Sequence, residues 1–168
     1  LLRWGIVCDE QGNYQEAEIH LTQSLKIYQA RSDEKGIADV QYQLARTAIV
    51  HSQYARAQKL LARCQEIRDK LNDKIGLALV LYEQAGLYYD YGPDYDKSEQ
   101  LLYQAQRLQE HTKDEFNLIR TFRLTAQVMA IQGKFAQAQV YVEKAFKLSE
   151  LTQNLFETGS ILYVMASI

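Results

Sequence analysis

Proline is nearly absent from this chain: 168 residues hold one, Pro93, together with eight glycines. So few breakers exclude a proline-rich linker and a loop-dominated fold, and they leave helix unopposed over long stretches. Cysteine is also scarce. Cys8 and Cys64 stand far apart with no CxxC spacing, and His20, His51 and His111 lie at no ligand spacing to either. The pair therefore reads as two reduced core thiols, with no metal and no disulfide framework, which suits a cytoplasmic protein. Charge of one sign is missing too: a formal net charge of −2, with Lys and Arg interspersed among Asp and Glu, leaves no basic stripe for nucleic acid. The longest apolar run, around Leu77 to Tyr82, falls far short of the roughly 18 residues that suggest a membrane span. Arg3 and Asp9-Glu10 interrupt the apolar start, so no signal peptide is read. Gly-rich phosphate loops are absent, and no His is spaced to couple with a nucleophile; no enzyme and no cofactor are expected.

What the chain does have is a repeat. Gly12-Asn13-Tyr14-Gln15-Glu16-Ala17, Ser52-Gln53-Tyr54-Ala55-Arg56-Ala57, Pro93-Asp94-Tyr95-Asp96-Lys97-Ser98 and Gly133-Lys134-Phe135-Ala136-Gln137-Ala138 share one pattern. Their aromatic residues, at 14, 54, 95 and 135, are 40, 41 and 40 residues apart. A second pattern keeps the register: Asp33-Glu34-Lys35-Gly36 returns as Asp73-Lys74-Ile75-Gly76. Its echoes near Asp114 and Asn154 lose the glycine. A fixed period of this size marks stacked helical units rather than one globular core.

Within each period two helical stripes are legible. Ala17, Leu21, Leu25 and Tyr28 fall on one face, and the same face returns as Ala57, Leu61, Cys64 and Ile67, as Ser98, Leu102, Ala105 and Leu108, and as Ala138, Val142, Ala145 and Leu148. The preceding helices alternate small and large apolar residues: Trp4, Gly5 and Cys8, then Leu44, Ala45 and Ala48, then Ala85 and Tyr88, then Ala126 and Met129, then Met165 and Ala166. Small residues at fixed places let helices approach closely. Gly12, Gly92 and Gly133 suit turns that need positive φ, and Asp33, Asp73 and Asp114 suit N-caps. Helices are expected near 1–12, 14–31, 35–51, 54–71, 75–91, 94–111, 115–132, 135–151 and 156–168, and no strand.

A helix-turn-helix unit with Gly-Asp/Asn-Tyr-x-x-Ala at its turn resembles the tetratricopeptide repeat, and Trp4-Gly5 with Tyr14 and Ala17 carries the likeness best. The long period resembles the 40-residue variety found in kinesin light chains, Pins-type adaptors, Rap-type peptide-pheromone receptors and bacterial signalling proteins of the MalT-like and STAND kind. The resemblance implies an all-α, right-handed superhelical solenoid of four repeats plus one further helix. Residues 1–168 then form a single array, with units near 1–34, 35–74, 75–114 and 115–154 and a partial unit 155–168. Because it starts at Leu1 and stops inside an apolar helical pattern, the chain reads as a piece excised from a longer protein, with cut ends open to end-to-end self-association.

First helices line the concave face of such a solenoid, so residues off the packing stripes point there. These are Tyr42, Gln43, Arg46, Tyr82, Glu83, Tyr89, Arg120, Arg123, Gln127 and Tyr163, in which Tyr and Arg supply the large amphipathic contacts of binding hot spots. The carboxylate clamp of chaperone adaptors is not supported, since Asp9, Ile49 and Ala130 occupy its asparagine places. An asparagine ladder fails at Gln43, Glu83 and Leu124. The expected function is a protein- or peptide-binding scaffold, the sensor or adaptor part of a bacterial signalling protein; a receptor that closes around a pheromone or small ligand is the alternative. Neither nucleic acid nor membrane is an expected partner.

Overall fold

The computed structural model describes all residues, 1–168, as nine α-helices without a strand. They are α1 (Leu2–Glu10), α2 (Tyr14–Ala30), α3 (Glu34–Val50), α4 (Tyr54–Lys70), α5 (Lys74–Asp90), α6 (Tyr95–Thr112), α7 (Glu115–Ile131), α8 (Phe135–Leu151) and α9 (Leu155–Ser167). No helix is long and apolar enough to cross a membrane. The chain groups into two compact units, Leu1–Asp73 with α1 to α4 and Lys74–Ile168 with α5 to α9, divided at a repeat boundary.

The small residue three places after each turn aromatic does what its size permits. Ala17, Ala57, Ser98 and Ala138 are all fully buried, as are Leu21, Leu61, Leu102 and Val142 one turn later. Another turn on, the buried member is Ser24 in α2, not Leu25, which is half-buried; Cys64, Ala105 and Ala145 fill that place elsewhere. Two polar members of the stripe are satisfied from the neighbouring helix. Ser98 Oγ donates to the Ala85 carbonyl at 2.9 Å, and Cys64 Sγ to the Ala38 carbonyl at 3.3 Å. Burial raises the pKa of the Cys64 thiol, so it sits as a protonated core group.

In the first unit Leu21, Val40 and Leu44 form the core, with Leu2, Leu25, Tyr28 and Leu60 packed around them. Close approach is built in by glycine: a Cβ on Gly36 would lie 2.2 Å from the Tyr28 ring, and one on Gly5 2.8 Å from Leu21. In the second unit, one cluster joins Leu81, Ala85, Leu101, Leu102, Ala105, Leu124 and Val128. Another joins Ile119, Phe122, Ala126, Val142, Ala145, Ile161 and Val164. On and beside α9 the apolar surface is open: Leu151, Leu155 and Phe156 are largely exposed.

Every turn between helices except the one after α5 follows one recipe. Gly12 and Gly133 adopt positive φ as expected, but Ser32, Ser52, Asn72, Lys113 and Gln153 take the same left-handed conformation without being glycine. Gly92 is not in that conformation. The backbone bonds that close the turn, such as Asp33 N to Tyr28 O at 3.0 Å, hold these residues there. Asp33, Asp94, Asp114 and Asn154 then cap the next helix, each accepting from the backbone N–H three residues on. Asp73 is also engaged by the buried Arg68, which reaches Asp39 Oδ1 at 2.5 Å as well.

Candidate functional site

In the second unit, the helices that open the repeats, α5, α7 and α9, pack side by side, and charged and aromatic side chains interlock along the face they share. Tyr82 stands on α5, packed at its base against the core cluster. The Arg120 guanidinium of α7 lies over the Tyr82 ring, 4.6 Å from its centroid. Asn117 Oδ1, one turn back on α7, accepts from Arg120 Nη1 at 3.4 Å, a long hydrogen bond that favours the guanidinium's place over the ring. Such a stack contributes about 0.5–2 kcal/mol, more where water is excluded. Burial pushes the Tyr82 hydroxyl pKa up, and Arg120 and Arg123 pull it down only in part. The hydroxyl therefore stays a hydrogen-bonding group at neutral pH.

One turn along α7, Arg123 Nε donates to Glu157 Oε2 of α9 at 3.2 Å. Glu157 is 4% exposed, so this is a largely desolvated ion pair. Its carboxylate stands where the earlier repeats carry Gly36 and Gly76, the place where the echo near Asn154 loses its glycine. The departure from glycine at 117 and 157 was the available signal. Asn117 positions Arg120, and Glu157 positions Arg123.

The expected residues divide between the two units. In the second, Tyr82, Glu83, Tyr89, Arg120, Arg123 and Gln127 are all half-buried, while Tyr163 on α9 is 76% exposed. Tyr89 makes an edge contact with Tyr95 at 6.3 Å between ring centroids. Burial and the neighbouring Asp90 raise its pKa. In the first unit, Tyr42 is buried rather than presented on an open face, because α3 is enclosed by α2 and α4 with α1 alongside. Gln43 is half-buried and Arg46 exposed, with Arg46 Nη1 reaching Gln43 Oε1 at 3.5 Å. Beside them Thr47 Oγ1 donates to Asp9 Oδ1 at 2.9 Å, tying α3 to α1. Glu157 neutralises Arg123, which leaves this face less positive than its arginines alone would make it.

Chemically, this arrangement can hold a ligand by stacking and hydrogen bonding. No cluster of three or more His, Cys, Asp or Glu side chains is placed to bind a metal ion.

By sequence, the chain matches no family model and no curated protein. By structure, it is similar to BtubC (BKLC) from P. vanneervenii, with a TM-score of 0.79 at 20% identity over 90% of this chain and 63% of BtubC. It is similar to the apo form of RapI, with a TM-score of 0.84 at 21% identity over 91% of this chain and 56% of RapI. A protein described as a kinesin light chain from Podosopora anserina, with nearly identical TPR-like repeats, matches at a TM-score of 0.59 and 20% identity, over 99% of this chain and 92% of that one. The chain thus spans less than two thirds of BtubC and of RapI. Its fold is that of the TPR-like helical repeat proteins, built here from long helix pairs.

Proposed function

We propose that the chain is a protein- or peptide-binding repeat module, acting as the sensor or adaptor part of a larger bacterial signalling protein. The inner helices of the second unit form its recognition surface. The observation that carries this reading is the stack of Arg120 on Tyr82 beside the Arg123–Glu157 pair. These side chains are pre-ordered without a ligand, so binding need not immobilise them at a cost of about 0.5–1.5 kcal/mol each. Tyr and Arg held rigid in partly desolvated positions have the character of interface hot spots. Exposed Tyr163 on α9 extends the surface, and Glu83 with Gln127 adds polar groups suited to a peptide backbone. Arg46 and Gln43 make a second, smaller contact area on the first unit.

The test is selection of phage-displayed twelve-residue peptides on the immobilised chain, followed by titration of the enriched sequences. Arg120→Ala and Tyr163→Ala are each expected to weaken them about tenfold, equivalent to about 1.4 kcal/mol. Unchanged affinity in both variants overturns the reading, as does a selection that enriches nothing over bare support.

A further inference from the structure

The second unit carries another concavity, away from the face just described, between α5 and α6. It has a volume of about 440 Å³. Leu77, Leu81 and Leu108 line it with hydrocarbon, and Lys74, Arg107 and His111 stand around them with Gln104. Lys74 Nζ lies 3.0 Å from His111 Nε2, closing one end of the cleft between the first residue of α5 and the last turn of α6. No carboxylate lines it. Glu110, next to His111 in sequence, accepts instead from Gln106 Nε2 at 2.8 Å.

The repeat supplies an internal control. The corresponding cleft of the first unit, between α3 and α4, has about 530 Å³ and is lined by Glu34, Lys59, Ala62, Arg63, Glu66, Ile67 and Lys70. There, two carboxylates offset two of three cations and leave a single positive charge. Forty or forty-one residues later, Glu34 has become Lys74 and Glu66 has become Arg107. Both acidic places have reversed sign, and Leu81 adds apolar lining where the first unit has Gln41. A cleft kept only for stacking helices has no need of two sign reversals on its rim. Cations around a leucine floor complement a ligand that is apolar at its centre and anionic at its edges.

We propose that the α5–α6 cleft is a second binding site, for an acidic peptide segment that seats a large apolar side chain on Leu77, Leu81 and Leu108 and sets carboxylates against Lys74 and Arg107. A free phosphate or a nucleic-acid backbone would satisfy the cations but leave the leucine floor wet. The exposed cations make the contact salt-sensitive.

The probe is a capped, fluorescein-labelled twelve-residue peptide with a central leucine pair flanked on both sides by glutamates, titrated against the full chain by anisotropy at low salt. Saturable binding is expected. It should weaken at least tenfold in Lys74→Glu/Arg107→Glu, and equally when glutamines replace the peptide's glutamates. Arg120→Ala, on the other face, should leave it unchanged, which separates this site from the recognition surface proposed above. Arg107 is exposed, so Arg107→Glu alone provides the readout if a melting curve shows the double variant unfolded, with a severalfold loss expected. Absent binding, equal affinity for the glutamine peptide, or equal affinity in the charge-reversed variants overturns the proposal. So does retention on phosphatidylglycerol vesicles without peptide binding, which would assign the cleft to a lipid surface.

Discussion

Gly36 in the first unit and Glu157 in the second occupy the same place in the repeat, two residues into a helix, and they solve opposite problems. At Gly36 the absent side chain makes room for the Tyr28 ring, which a Cβ would meet at 2.2 Å. At Glu157 the ring is gone, since Ser149 stands at the place of Tyr28, and a carboxylate fills the site at 4% exposure. That carboxylate persists because α7 brings Arg123 to within 3.2 Å. The comparison teaches that the repeat fixes a backbone and a volume, not a chemistry. The same slot closes by packing in one unit and by a charge pair in the other, and only the second solution places charged groups beside the face proposed for recognition.

The largest effect is expected from breaking the charge solution. Arg123→Met leaves Glu157 buried with its counter-charge removed, and it should cost about 3 kcal/mol in a urea melt. Arg123→Met/Glu157→Leu should recover most of that loss while still lacking the polar surface. If the double variant is no more stable than the single one, the pair is not what fills the slot.

Breaking the packing solution comes next. Gly36→Val should overpack against Tyr28 and cost about 2 kcal/mol, with Tyr28→Ala in the same chain relieving part of it. Ala57→Leu, at a fully buried crossing in the same unit, belongs to the same class at about 1–3 kcal/mol. A thermal melt unchanged by both substitutions contradicts the register of close contacts.

These positions also show how far the sequence alone reaches. Helix existence and phase were legible because burial repeats at Ala17, Ala57, Ser98 and Ala138, and the observed Tyr54–Lys70 differs from the expected 54–71 by one residue. Turns were legible at Gly12 and Gly133 but not at Lys113 or Gln153. There hydrogen bonds impose left-handed backbone on residues that do not advertise it. The site was only partly legible. Tyr82, Arg120 and Arg123 stand out as residues off the packing stripe, whereas Glu157 gains its meaning from an arginine 34 residues earlier, a contact that no local pattern encodes. Tyr42 looks identical to Tyr82 in sequence and is buried because its helix is enclosed on both sides, which is a property of neighbours. Tyr82 itself packs against the core cluster, so Tyr82→Ala should weaken ligand binding and also lose about 1–3 kcal/mol of stability. For that reason Arg120→Ala is the cleaner probe of recognition.

The smallest expected effect contrasts two carboxylates at one repeat position on the outer helices. Glu18 meets Arg56 at 2.6 Å in the first unit with its side chain 40% exposed, while Glu99 meets Lys134 at 2.7 Å in the second with 15% exposed. Burial tends to raise the Glu99 pKa, but hydrogen bonds from Lys134, Gln132 and Tyr103 outweigh it and hold the carboxyl below its ordinary value. A carboxyl with a depressed native pKa binds its proton more readily in the unfolded chain, so its contribution is present above the unfolded pKa of about 4.3 and fades as pH falls through the lower native value. Partial exposure of Lys134 reduces that contribution to a few tenths of a kcal/mol. Melting temperatures measured from pH 7 down to pH 3 should therefore converge for wild type and Glu99→Gln at the acid end and separate above about pH 5. Glu18→Gln should track wild type throughout, because its solvent-screened pair contributes almost nothing. A separation of equal size for both variants means that depth of burial does not distinguish the two units at this position, and the contrast drawn between them fails there.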